Sequence, residues 1–179
     1  MSFRKIVGAC VLVGAMTGGV VHAEDSGYYI GAGIGQSRQK FTDFDGKDTS
    51  FKLYGGWSFN KYFAVEAGYI NGGTQSDSFE GVNLDISNEG LFVEGLAKWP
   101  LGSVVAPYAK FGYVFYESTA KLSSGSQSVS ETESDSDFIY GGGLEFKLGD
   151  NVRLRAEYEE VNLPDTAFDN YTLAISWKF

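Results

Sequence analysis

The sequence predicts an all-β fold, a transmembrane eight-stranded antiparallel up-and-down β-barrel. Eight segments alternate apolar residues with polar or small ones at a period of two, which is typical of strands with two different faces. The connections between these segments are short and long in turn. Glycine (24 of 179 residues) and aromatic residues (16%) are abundant, as in many closed all-β folds.

The first 23 residues have the organisation of a secretory signal peptide. Arg4 and Lys5 precede a short apolar run, and small residues lead up to a cleavage site between Ala23 and Glu24. A membrane-spanning helix and a lipoprotein signal at residues 7–10 are the alternatives, but the apolar run is too short for either. We therefore expect a cleaved signal peptide, residues 1–23, and a barrel domain, residues 24–179.

Cleavage would remove Cys10 and His22, which are the only cysteine and the only histidine. Triads and zinc sites that need a thiol or an imidazole are then excluded. An eight-stranded interior also has little room for a sugar between two carboxylates. We expect no enzymatic activity, no cofactor and no metal site.

The charge balance is acidic. Loss of Arg4 and Lys5 leaves 12 basic residues against 23 acidic ones, a net charge of −11. Nucleic-acid binding needs clustered lysine and arginine, so nucleic acid is not expected as a partner.

The alternating segments are each about nine to eleven residues long, the length that a tilted strand needs to cross a bilayer. They begin near Tyr28, Phe51, Phe63, Leu91, Pro107, Phe138, Val152 and Tyr171. Short turns follow the second, fourth and sixth segments. We expect long polar loops at residues 37–49, 71–89, 117–137 and 160–170, and this alternation is typical of outer-membrane barrels.

The position of the aromatic residues distinguishes a membrane barrel from a soluble one. All three tryptophans, Trp57, Trp99 and Trp177, lie on the apolar phase at the ends of even-numbered segments, and Phe179 joins them. Other tyrosines and phenylalanines on this phase lie near the opposite ends. Two aromatic girdles are expected where a barrel meets the two interfaces of a membrane. The apolar phase is therefore predicted to face lipid.

The opposite phase carries the charges and should line the interior. Lys52 and Lys98 lie on it together with seven further charged residues that we expect to interact, Glu66, Glu94, Lys110, Glu145, Arg153, Arg155 and Glu157. Unpaired charges are costly in a narrow interior, so a paired network is expected. The glycines of residues 31–35 and 141–143 lie within strands and leave room for inward tyrosines at 29, 54, 108 and 116; their context does not fit a nucleotide loop.

Five stretches together resemble the OmpA-like barrel family of Gram-negative outer membranes: YYIGAGIG, FAVEAGY, PYAKFGY, GGGLEFKL with NVRLRAEYE, and LAISWKF. The resemblance implies a place in the outer membrane, contact with its lipid and lipopolysaccharide, and both termini in the periplasm. It also implies that Phe179 is read by the outer-membrane assembly machinery. No periplasmic peptidoglycan-binding domain is expected after Phe179.

In this family an interior glutamate facing an arginine has been proposed as a gate, and Glu66 and Arg155 match those positions. Lys110 and Glu145 match further inner charges, whereas the family's lysine on the fourth strand is not matched. Two functions stay open. One is a structural barrel, with or without a narrow gated pore, and the other is surface adhesion, colonisation or host interaction through the long loops. A ligand-binding barrel would need an opening in its wall. A monomer is expected.

Overall fold

The computed structural model describes residues 26–41, 44–79, 82–124, 127–163 and 166–179. Residues 1–23 lie outside this part of the chain, so the signal peptide stays a prediction. The described residues form eight strands, β1 (Gly27–Phe41), β2 (Phe44–Ser58), β3 (Phe63–Phe79), β4 (Val82–Lys98), β5 (Val105–Ser124), β6 (Gln127–Leu148), β7 (Val152–Leu163) and β8 (Thr166–Lys178).

Each strand pairs antiparallel with the next, and β1 pairs with β8, so the sheet closes into a barrel. This confirms the predicted eight-stranded up-and-down topology. Closure satisfies the backbone hydrogen bonds within the sheet, which a lipid environment requires. Among the described residues there is no helix with the length and apolar character needed to cross a bilayer.

The two ends of the barrel differ. One end, called the turn end below, contains the start of β1 and the end of β8. It also contains the short connections at residues 59–62, 99–104 and 149–151. Gly102 and Gly149 adopt positive φ angles of 75° and 92° in two of these connections, a conformation that glycine adopts at little cost. The other end, called the hairpin end, joins β1 to β2, β3 to β4, β5 to β6 and β7 to β8.

The prediction of long loops was wrong at the hairpin end. The expected loop at residues 117–137 lies almost entirely within β5 and β6, which pair as far as Ser124 and Gln127. The other three expected loops likewise continue as paired strands. In β5 and β6, the described side chains of residues 117–119 and 131–137 are exposed or half-buried on both faces of the strand. The strands can therefore be polar on both faces, and the period-two pattern on which the prediction depended is lost.

The barrel wall divides near the hairpin end. Pairing of β2 with β3 ends at Phe51 and Asn71, and pairing of β6 with β7 ends at Ile139 and Val161. Beyond these points β3, β4, β5 and β6 continue as one sheet, residues 72–79, 82–88, 118–124 and 127–138, called the projecting sheet below. Gly73, with a φ of 80°, lies at the register shift where β3 leaves β2.

Large tyrosines and inward glycines are complementary in the barrel interior. A Cβ atom at Gly31 would overlap the ring of Tyr54, and one at Gly56 would overlap the ring of Tyr29. At Gly143 it would lie 2.9 Å from the hydroxyl of Tyr108. The glycines therefore make room for these three tyrosines, as predicted from the sequence.

Candidate functional site: the charged interior

A first group of charges, called the lower cluster, surrounds Arg155 on β7. Its Nη1 lies 2.5 Å from Glu66 Oε1 on β3, and its Nε donates to Glu145 Oε2 on β6 at 2.9 Å. Lys98 on β4 contacts the same Glu145 oxygen at 3.0 Å, and the hydroxyl of Tyr29 donates to Glu66 at 2.6 Å. Two cations thus face two carboxylates. All four charged side chains are buried, so the cluster joins four strands through the centre of the barrel.

A second group, the upper cluster, lies closer to the hairpin end. Lys52 on β2 and Lys110 on β5 both donate to Glu159 Oε1 on β7. Lys110 also donates to Glu157 Oε2 at 3.1 Å. Glu94 on β4 lies 3.5 Å from Lys52 and 3.7 Å from Lys110, but neither of its oxygens accepts a hydrogen bond. Two lysines therefore face three carboxylates.

Neutral donors complete both clusters and connect them. Asn170 donates to Glu159 Oε2 at 3.1 Å, and Tyr108 donates to Glu157 Oε1 at 2.7 Å. The same Glu157 oxygen lies 3.7 Å from Arg155 Nη1 of the lower cluster. In a medium of low dielectric constant, charged groups are stable only when they are paired and hydrogen-bonded. The two clusters act as one continuous network that links strands on opposite sides of the barrel.

An apolar layer lies between the upper cluster and the hairpin end. Five buried inward side chains form it: Ile70, Val114, Ile139, Val161 and Phe168. Ile139 is completely buried, and Tyr116 packs against the layer. The cavity among these side chains is only about 40 Å³. The interior is therefore filled by polar side chains at its centre and by apolar ones above them.

The sequence-predicted network is placed as follows. Glu66, Glu94, Lys110, Glu145, Arg155 and Glu157 lie in the two clusters. Arg153 does not join them: its Nη1 donates to the backbone carbonyls of residues 149, 150 and 152 at the turn end, at 3.0–3.2 Å. A shift of two residues along β7 moves its side chain out of the buried centre.

Sequence reasoning left Glu159 out of the predicted network, although it is the acceptor shared by both lysines of the upper cluster. The alternation does indicate that Glu159 points inward, because it lies on the same phase of β7 as Arg155 and Glu157. Lys52 and Lys98 were recognised as interior charges, and the structure shows that each pairs with a glutamate.

The aromatic residues predicted to form a girdle lie at the turn end and point outward. Trp57, Trp99, Trp177 and Phe179 are between 41% and 71% exposed to solvent in the isolated barrel. Towards the hairpin end, a second exposed group lies on the outer face, Tyr113, Phe115, Phe138 and Tyr171. An apolar outer surface with an aromatic group at each end, around a charged interior, is the arrangement of a lipid-embedded barrel.

Comparison with known proteins agrees with this geometry. The model of the family described as outer membrane protein beta-barrel domain matches residues 7–179, nearly the whole chain. The chain belongs to this family. It is 24% identical over 170 residues to outer membrane protein A of Salmonella typhi, covering 90% of the chain and 49% of that protein. The chain thus spans about half the length of the curated relatives it matches.

Solved structures show the same barrel. The attachment invasion locus protein Ail of Yersinia pestis, in a complex with the heparin analogue sucrose octasulfate, has a TM-score of 0.65 and 22% identity, covering 87% of this chain and 99% of Ail. Neisserial surface protein A also has a TM-score of 0.65, with 17% identity and coverages of 86% and 98%. These relatives and neighbours are outer-membrane barrel proteins. The protein is therefore an OmpA-like barrel of the bacterial outer membrane.

Proposed function

We propose that this outer-membrane barrel protein is a structural barrel whose interior is closed to ions, with its turn end and both termini in the periplasm. The observation that carries the proposal is that two successive groups of side chains fill the interior. They are the charged network at the centre and the apolar layer between it and the hairpin end. A narrow apolar constriction excludes water and thereby blocks ions. Phe179, exposed at the turn end, is proposed as the residue recognised by the assembly machinery.

The interior charge pairs favour a structural role, in which they hold the strands of the barrel wall together, over the role of a gate. Arg155 contacts Glu66 and Glu145 at the same time, so separating it from Glu66 would still leave it bound to Glu145. A rearrangement of this pair would also leave the apolar layer above it unchanged. The network therefore fixes the wall of the barrel, and the apolar layer closes it.

Conductance in planar bilayers tests the closed interior. Neither the unaltered protein nor the double variant Glu66→Ala/Arg155→Ala is expected to carry a steady current, because the apolar layer stays in place. Adding Ile70→Ser and Phe168→Ser to the double variant should produce measurable current, since the apolar layer is then hydrated. A steady current through the unaltered protein, or one that the charge substitutions alone create, would contradict the proposal.

A second function, interaction with other surfaces, is supported by the projecting sheet. Residues 127–138 of β6 pair with β5 on one side and, among the described strands, have no pairing partner on the other. Such an edge presents free backbone donors and acceptors to which an extended segment of another chain can add as a further strand. The sheet thus offers a backbone docking edge beyond the outer aromatic group.

The charge of the hairpin end defines the kind of partner. Among the side chains described there, ten carboxylates accompany one cation, Arg38; the carboxylates are Asp48, Asp85, Glu89, Glu117, Glu131, Glu133, Asp135, Asp137, Glu160 and Asp169. Ail was crystallised with a sulfated, strongly anionic ligand. Here a polyanion would be repelled, so we propose an extended basic protein segment as the partner of the β6 edge.

Cell binding tests this second function. Bacteria that carry Glu133→Lys/Asp135→Lys are expected to bind host cell layers several-fold less than bacteria with the unaltered protein, because the edge then repels a basic partner. The matched control is Asp150→Lys, an exposed acidic residue at the turn end. Equal binding by all three strains, at equal amounts of folded protein in the outer membrane, would rule out the β6 edge as the binding surface.

A further inference from the structure

Glu94 on β4 is a buried carboxylate that receives no hydrogen bond. The residue is 1% exposed, and neither Oε1 nor Oε2 accepts a hydrogen bond. Its partner in the register of β5 is Gly112, which has no side chain that could donate one. A Cβ atom at Gly112 would lie 2.8 Å from Glu94 Cγ, so the two strands are closely packed here. An ionised carboxylate is costly to bury unless donors surround it, and Glu94 lacks them.

The two lysines that lie near Glu94 are bound by other carboxylates. Lys52 and Lys110 both donate to Glu159 on β7. Lys110 also donates to Glu157 on the same strand, at 3.1 Å. The distances from these lysines to Glu94 Oε2 are longer, 3.5 Å for Lys52 and 3.7 Å for Lys110. The hydrogen bonds of both lysines are thus directed to β7, and Glu94 receives only a weaker electrostatic attraction.

Another carboxylate, Glu66 on β3, is the direct cross-strand neighbour of Glu94. The two residues are partners in the register of β3 and β4, and both are buried in the interior. Like charges directly opposite each other on neighbouring strands are destabilising. The cation that contacts Glu66 is Arg155, which also binds Glu145. Glu66 Oε2 accepts no hydrogen bond. A proton on Glu94 would remove the repulsion from Glu66 and turn Glu94 from an acceptor into a donor.

The charges of the whole interior do not balance. Among the described residues four cations and five carboxylates are buried, and β1 and β8 add none of them: Lys52, Lys98, Lys110, Arg155, Glu66, Glu94, Glu145, Glu157 and Glu159. We propose that Glu94 is a proton-binding site, a carboxyl group that stays neutral in the folded barrel at a pH at which exposed glutamates are ionised. The proton comes from water during folding, and it leaves four cations facing four anions. This site does not depend on whether the interior conducts or the β6 edge binds a partner.

Infrared spectroscopy of the folded protein in alkyl maltoside micelles, whose molecules contain no carbonyl group, tests the site directly. At about pH 6 exposed glutamates are ionised, since their ordinary pKa is about 4.3. The difference spectrum between the unaltered protein and Glu94→Gln should contain the C=O stretching band of one neutral carboxylic acid. The matched control is Glu131→Gln, which changes an exposed acid on β6. The difference spectrum between the unaltered protein and this control should not contain the band.

The pH dependence of stability is a second measurement. In the unfolded chain Glu94 is exposed and ionised above its ordinary pKa, so the folded barrel would hold one proton more and unfolding would release it. Between about pH 5.5 and pH 6.5 the equilibrium constant for unfolding should therefore rise about tenfold for each unit of pH. The rise should be absent in Glu94→Gln and present in Glu131→Gln. His22, the only histidine, lies in the expected signal peptide, so no histidine of the barrel domain contributes in this range.

The proposal is supported if Glu94→Gln alone removes both the acid band and the pH dependence. A spectrum without the band, or the same pH dependence in Glu94→Gln, would overturn it. If Glu94→Gln does not fold, the unaltered protein decides the question, because a stability that does not fall over this pH range excludes the bound proton. A monovalent cation is the other means of balancing the fifth carboxylate. Stability that increases with sodium at constant ionic strength, without an acid band, would assign the charge balance to that cation and would also overturn the proposal.

Discussion

Replacing Arg155 with methionine is expected to lower the free energy of unfolding by about 3–5 kcal/mol, the usual cost of breaking a buried ion pair from one side. Arg155 is 1% exposed and neutralises parts of Glu66 and Glu145 at once. Methionine has a similar volume, so the loss would come not from a cavity but from Glu66, which loses its cation partner, and from Glu145, which keeps only Lys98. Urea-driven unfolding of the protein in lipid vesicles, followed by gel mobility without heating, measures the change.

Arg153 provides the matched control, because it lies two residues away on the same strand and the same inward phase. Its guanidinium is at the turn end and donates to backbone carbonyls there, so Arg153→Met should cost no more than about 1 kcal/mol. Combining Glu66→Gln with Arg155→Met should recover part of the lost stability, since the buried charge that Arg155→Met leaves without a cation is removed as well. Equal losses for Arg153→Met and Arg155→Met would show that the network does not stabilise the barrel.

The barrel could be predicted from the sequence because each residue of the wall faces either lipid or the filled interior, and that position determines whether its side chain is apolar or polar. A strand between lipid and a filled interior must alternate, and the alternation at Phe63–Tyr69 or Tyr171–Phe179 shows directly which side chains point inward. The tryptophans indicate which ends of the strands lie at a membrane interface, because their amphipathic rings prefer that position. These local rules identified the inward charges before the structure placed them.

The length of the strands and the depth of each interior charge could not be predicted in the same way. Beyond the membrane both faces of a strand are in water, so residues 117–137 carry no alternation and resemble a polar loop. The depth of an inward charge depends on the stagger between strands, which a single sequence does not contain. For that reason Arg153, at the turn end, was grouped with Arg155, and the central role of Glu159 was missed.

The upper cluster leads to the second large effect, a contrast between two isosteric substitutions. Glu159→Gln is expected to lower the free energy of unfolding by about 2–3 kcal/mol, because Glu159 accepts hydrogen bonds from Lys52, Lys110 and Asn170. Glu94→Gln should cost less than about 1 kcal/mol: neither Glu94 oxygen accepts a hydrogen bond, although both are buried. The same vesicle unfolding assay compares the two variants.

The direction of this contrast follows from the charge count. Two lysines face three carboxylates, so one carboxylate charge exceeds what the cations can balance inside the barrel. Removing the charge of Glu94, the glutamate with the longer contacts, leaves two cations facing two anions. Removing that of Glu159 gives the same count, but it replaces the charged acceptor of both lysines with a neutral amide oxygen and places an NH2 donor against the donor of Asn170. Equal losses from the two substitutions would mean that net charge alone, and not the hydrogen bonds to Glu159, determines how firmly the interior holds the barrel wall.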